Sequence, residues 1–159
     1  MPSMKFRSTL AALGLGLVTA LTALPAAAQY RNADAAIKYR QSAMSLQGNH
    51  MARIFAMING QVPFDAKVAA ENIEITAVLN RLQFAAFIDG SDKGNTRAKP
   101  EIWTEKDKFA ARVAKSQEDV LKLAAAGKTG NLDQIKAAAG AVGESCKGCH
   151  DAYQKPQQQ

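Results

Sequence analysis

The chain has 159 residues and a formal net charge of +6, from 20 basic and 14 acidic side chains. That length is one domain's worth, and 47% hydrophobic residues suffice for a single core. The basic excess includes no Lys/Arg block of the kind that tracks phosphates, so nothing in the charge marks a nucleic-acid binder; a preference for acidic partner proteins is the more modest inference.

Residues 1–28 have the pattern of a cleavable secretory signal: Lys5 and Arg7 at the start, an apolar stretch from Thr9 to Leu24, and Ala26-Ala27-Ala28 before a cut preceding Gln29. The apolar run of sixteen residues, interrupted by glycine and threonine, is short of the ~20 that a membrane-spanning helix needs. An uncleaved anchor helix is the alternative. Taking Lys5 and Arg7 from the 20 basic side chains leaves 18 against 14 acidic ones in a mature chain of 131 residues. The expected organisation is a signal peptide over 1–28 and one domain over 29–159, with no membrane span in the mature chain.

Four helical stretches follow. The first runs from about Ala33 to Ile58 and stops at Asn59-Gly60 with Pro63 beyond. Its apolar residues Ile37, Met44, Met51, Phe55 and Ile58 recur at helical spacing. The second starts after Asp65, a good N-cap, and carries Val68, Ile73, Ile75, Val78, Leu79 and Leu82 toward Phe84. From about Phe87 to Trp103 the pattern breaks at Gly90, Asp92, Gly94, Asn95 and Pro100, a loop whose return Trp103 is expected to anchor. Thr104 is expected to cap a third helix that runs to Ala126 before Gly127. Asn131-Leu132-Asp133-Gln134 resembles a capping box opening the fourth, which carries Ile135, Ala138, Val142, Cys146 and Cys149. No strand-like alternation competes. The expected fold is all-α, an antiparallel up-down four-helix bundle.

Cys146-Lys147-Gly148-Cys149-His150 on the last helix is a Cys-x-x-Cys-His run, the signature of covalent c-type haem attachment. Two thiols at this separation match the two vinyl groups along one porphyrin edge, and the adjacent His supplies an axial nitrogen. Offsets of i, i+3 and i+4 put all three on one helical face. A redox dithiol would want a preceding strand and a βαβ pattern, and a zinc site would want four ligands, whereas the only other His is His50 and there is no further Cys. One haem c, held by Cys146 and Cys149 with His150 on the iron, is the expected cofactor. Its attachment outside the cytoplasmic membrane agrees with the export signal and points to the periplasm.

A haem motif at the C-terminal end of an all-helical chain resembles the class II cytochromes c, the cytochrome c-prime family. The resemblance spans Lys38-Tyr39-Arg40-Gln41, Gly60-Gln61-Val62-Pro63-Phe64-Asp65, Lys99-Pro100-Glu101-Ile102-Trp103 and Cys146 to Tyr153. It implies a four-helix bundle, often a homodimer through the first two helices, and a redox-active haem. It also implies haem-lining roles for Arg40, Gln41, Thr96 and Arg97, with a solvated face as the plain alternative for Arg97. Gln154 departs from the family, which commonly has an Arg there near the proximal haem face.

The family has two branches. In one, an apolar residue on the first helix blocks the distal face and leaves a five-coordinate iron that binds gases such as nitric oxide; in the other, a Met at that position ligates the iron. The matching residue is Met44, either a ligand or core packing, with Gly48 one turn later leaving room beside the cofactor. Met51 shares the face about 10 Å further along, and His50 points elsewhere, as an inter-helix or surface residue. The leading expectation is a six-coordinate His150/Met44 haem that carries single electrons between periplasmic or membrane-bound redox proteins, not an enzyme. A five-coordinate gas binder is the alternative, and a haem-free helical binding module is a third class.

Overall fold

The computed structural model describes residues 29–156; the expected signal peptide, 1–28, lies outside them. Its helices are α1 (Ala33–Ile58), α2 (Ala66–Phe84), α3 (Glu101–Thr104), α4 (Lys106–Thr129) and α5 (Leu132–Tyr153). The four long ones form the bundle: α1 packs on α2, α2 on α4, α4 on α5, and α5 closes back on α1 along the loosest seam. No described helix is long and apolar enough to cross a membrane.

Local chemistry sets most of the helix ends. Asn32 accepts from the Ala35 amide at 2.8 Å, and Asp65 accepts from the Lys67 and Val68 amides at 2.9 and 3.0 Å. Asn131 accepts from the Gln134 amide at 3.0 Å, half of the expected capping box; its own amide donates to Thr129 Oγ1 instead. Two expectations for the third helix are corrected. Thr104 is not its cap but the last residue of the short α3, and the long helix starts at Lys106. Gly127 does not end it either. The helix continues to Thr129 and stops at Gly130, whose φ of 64° is left-handed. Gly127 serves packing, because a Cβ there would stand 3.0 Å from Ile73 Cδ1 on α2.

The core fills one end of the bundle with Ile54, Ile58, Ile73, Val120, Leu123, Ile135 and Val142. Of the apolar residues Val68, Ile73, Ile75, Val78, Leu79 and Leu82 that α2 carries, only Ile73 is buried; Val68, Ile75, Val78 and Leu82 face outward.

At the other end a long loop, 85–100, is latched by one buried cation. Arg40, on α1 and only 2% exposed, donates through Nη1 to Ala86 O and Ser91 Oγ, and through Nη2 to Ser91 O and Thr96 Oγ1, at 2.7–3.1 Å. Its guanidinium also lies 4.5 Å from the Phe87 ring centroid and 5.7 Å from that of Trp103. Trp103 Nε1 donates to Ile88 O at 3.0 Å, anchoring the loop's return as expected. The loop is also tied to the end of α5. Ala98 bridges Gln154, and the Lys99 amide donates to Tyr153 O and the Lys155 amide to Arg97 O.

Three stability effects are expected. Gly127→Val should lower the unfolding free energy by about 1–3 kcal/mol in urea titration through overpacking against Ile73, whereas Gly140→Ala, at an exposed helical site with open space, should raise it by up to about 1 kcal/mol. Arg40→Lys should cost about 3 kcal/mol, since an ammonium cannot serve four acceptors in a planar fork, and amide hydrogen exchange should rise across residues 85–100.

Candidate haem site

Where the α1–α5 seam opens, the bundle holds a cavity of about 590 Å³. The two helices touch at Phe55 and Gly143, where a Cβ on the glycine would lie 3.5 Å from Phe55 Cζ. Beyond that point they furnish separate walls. Gly143, Cys146, Cys149, His150 and Tyr153 line the α5 side, and Arg40, Gln41, Met44, Gln47, Gly48 and Met51 line the α1 side.

The three motif residues share one wall because they are helical at i, i+3 and i+4, as their spacing predicts. Both thiols are free and half-buried. Burial pushes the Cys146 thiol up, aided by the neighbouring Cys149 and the carboxylate of Asp119. It also raises Cys149, against a smaller opposing pull from Arg112. A redox dithiol needs the reverse, a depressed thiol pKa, so this microenvironment argues against that alternative.

All eight residues singled out from the sequence line the cavity: Arg40, Gln41, Met44, Thr96, Arg97, Cys146, Cys149 and His150. Their roles differ. Four terminal N–H groups of Arg40 are spent on the loop, and burial lowers its pKa to about 10, still charged at neutral pH. Gln41 Nε2 donates to Asn95 O at 2.9 Å. Arg97 is exposed, with Nε donating to Lys155 O at 3.0 Å, which holds its guanidinium at the rim. Met44 is half-buried, and Met51 lines the same cavity from deeper in the core. His50 is outside it, between helices, with Nδ1 2.8 Å from Asn72 Oδ1.

Sequence reasoning did not single out the aromatic end wall. Phe84, Phe87, Phe109 and Tyr153 line the cavity and meet one another, with ring centroids 5.1–6.4 Å apart. It also missed the buried polar residues Gln47, Gln83 and Ser116. The signal for Gln47 was present: Arg40, Met44, Gln47 and Met51 form one stripe at helical spacing.

These residues fit a flat aromatic macrocycle. Two thiols and an imidazole converge from one helix, aromatic rings close the end, and the Gly48 backbone forms bare wall, with nothing within 4 Å of where a Cβ would stand. The cavity volume is within the ordinary range for a cofactor site.

The family model for cytochrome c' matches residues 35–154. A cytochrome c' from Rubrivivax gelatinosus is 50% identical over 128 residues, covering 80% of this chain and 99% of its own. The crystal structure of cytochrome c' from that organism superposes with a TM-score of 0.79 at 50% identity, over 80% of this chain and 100% of that one. Cytochrome c prime from Alcaligenes xylosoxidans, in a ferrous variant with bound NO, gives a TM-score of 0.76 at 41% identity, over 80% and 99%. The chain belongs to the cytochrome c' family, four-helix bundles whose cofactor is one covalently bound haem c.

Proposed function

We propose that this chain is an exported, periplasmic haem protein that binds nitric oxide or another small gas on the α1 side of its haem. Cys146 and Cys149 would hold the haem through two thioethers, and His150 would offer its imidazole to the iron from α5. The haem iron supplies one coordination position for a diatomic molecule. The observation that carries this reading is the pairing of Met44 with Gly48. They are neighbours at i and i+4 on the wall across from His150, and open space beside Gly48 gives the flexible Met44 side chain somewhere to go. Met44 acts as a displaceable plug. Arg97, at the rim, offsets propionate charge.

This reverses the order of the two readings expected from sequence. The NO-bound relative favours the five-coordinate alternative over the six-coordinate His150/Met44 electron carrier. One observation keeps the carrier as a second reading: the Met44 thioether and the His150 imidazole line the same cavity, and such a pair is an established axial set. Its partners would then be periplasmic or membrane-bound redox proteins.

Visible spectra of the ferrous holoprotein separate the two. A gas binder shows a high-spin spectrum that changes on adding carbon monoxide, and Met44→Ala raises the affinity roughly tenfold by removing the plug. A low-spin spectrum indifferent to carbon monoxide, converted to a responsive one by Met44→Ala, would establish the electron carrier instead.

A homodimer through α1 and α2 belongs to the same reading. Leu46 is 51% exposed, and Val68, Ile75, Val78 and Leu82 are 42–45% exposed; the α2 residues form one stripe along that helix. Ile75→Glu should convert a dimer to monomer in sedimentation velocity with the haem spectrum unchanged.

A further inference from the structure

The cavity carries polar groups that haem attachment does not use. Gln47 from α1, Gln83 from α2 and Ser116 from α4 line it while exposed at only 5%, 5% and 3%. The Oε1 atoms of both glutamines are buried without a hydrogen-bond partner. Behind them, Thr76 Oγ1, Asn80 Oδ1 and Asp119 Oδ2 are in the same condition. Asn80 Nδ2 donates to Ser116 Oγ at 3.1 Å, and Lys115 pairs with the other Asp119 oxygen from the surface.

A buried oxygen left without a partner is costly on the scale of a domain's whole stability margin. Leucine or methionine at positions 47 and 83 would avoid the cost. Two amides at the cavity wall are therefore best accounted for by something they bond there. Their height agrees. Counting from the Phe55–Gly143 contact, Gln47 lies about 12 Å back along α1 and His150 about 10 Å on along α5, so they stand at similar levels on the two walls. Gln47 is also one turn from Met44.

Building on the gas-binding reading, we infer that Gln47 and Gln83 select among ligands: their amides hydrogen-bond a molecule bound on the α1 side of the haem, directly or through one ordered water. A primary amide accepts through Oε1 or, turned over, donates through Nε2, and a buried water does both. A donor at this place favours ligands whose outer atom gains negative charge on ferrous iron, nitric oxide and dioxygen, over carbon monoxide.

The test uses the ferrous holoprotein and its Gln47→Leu, Gln83→Leu and doubly substituted forms. The C–O stretch of the carbonyl adduct should move to higher wavenumber in the variants, and nitric oxide should leave the double variant roughly tenfold faster, the effect of losing one hydrogen bond. In deuterium oxide the bound-ligand vibrations of the unaltered protein should shift. That measurement decides the matter even if a leucine variant fails to fold. Adducts that form normally, with identical stretches and rates in all forms and no deuterium sensitivity, would overturn this inference and leave gas binding standing. Failure of both the unaltered protein and Met44→Ala to form any adduct would overturn both.

Discussion

The Arg40 guanidinium is the interaction on which the open end of this bundle depends. A charge at 2% exposure is costly, and burial accordingly lowers its pKa to about 10, yet four acceptors and two aromatic faces meet it there. All of those partners except Trp103 come from the loop between α2 and α3, so one side chain of α1 gathers the first part of 85–100, while the end of α5 holds the last part. Phe87, Thr96 and Arg97 reach the cavity rim on the same support. The fork geometry of arginine suits this use: it serves acceptors in one plane while both flat faces remain free for rings.

The bundle is asymmetric along its length, and the cofactor explains the asymmetry. Toward one end, Ile54, Ile73, Leu123, Ile135 and Val142 interdigitate around small residues such as Ala69, Ala139 and Gly127, and the helices approach closely. Past the Phe55–Gly143 contact, the α1–α5 seam parts, and aromatic rings, two thiols and an imidazole surround a cavity instead of filling it. A haem occupying that volume completes the core. Thioethers to Cys146 and Cys149 would tie it to the helix that closes the bundle, and the Ala98–Gln154 bridge fixes the end of that helix to the loop held by Arg40.

Much of this was legible in the sequence because single residues determine it. Asp65 and Asn131 cap helices as their side chains dictate, and Cys146, Cys149 and His150 share a wall because helical spacing allows nothing else. Where reading failed, the missing information was tertiary. Gly127 looks like a stop in one dimension, but its bare Cα is what lets Ile73 approach; the left-handed residue is Gly130, three positions on. Val68, Ile75, Val78 and Leu82 have the composition of a core stripe and face outward, since burial depends on which side of α2 the other helices occupy. The sequence identified Arg40 as a lining residue without revealing that its donors are spent on the loop, because all four acceptors lie between residues 86 and 96.

The two readings of the iron's α1 side are the ends of one equilibrium. Methionine is long and unbranched, so the Met44 sulfur can reach toward the cofactor or swing into the space that Gly48 leaves beside it. If the arrangements with Met44 over that position, bonded or merely blocking, are favoured by about 1.4 kcal/mol, a competing gas loses about tenfold in apparent affinity; if they are disfavoured by that much, it loses almost nothing. Gln47, one turn away, bears on that balance. A polar neighbour that bonds an incoming molecule or its water stabilises the displaced arrangement and gives no comparable contact to a thioether, which is only a weak acceptor. On the gas-binding reading, the pairing of a flexible sulfur with a buried amide on one wall would bias the α1 side toward an exchangeable position.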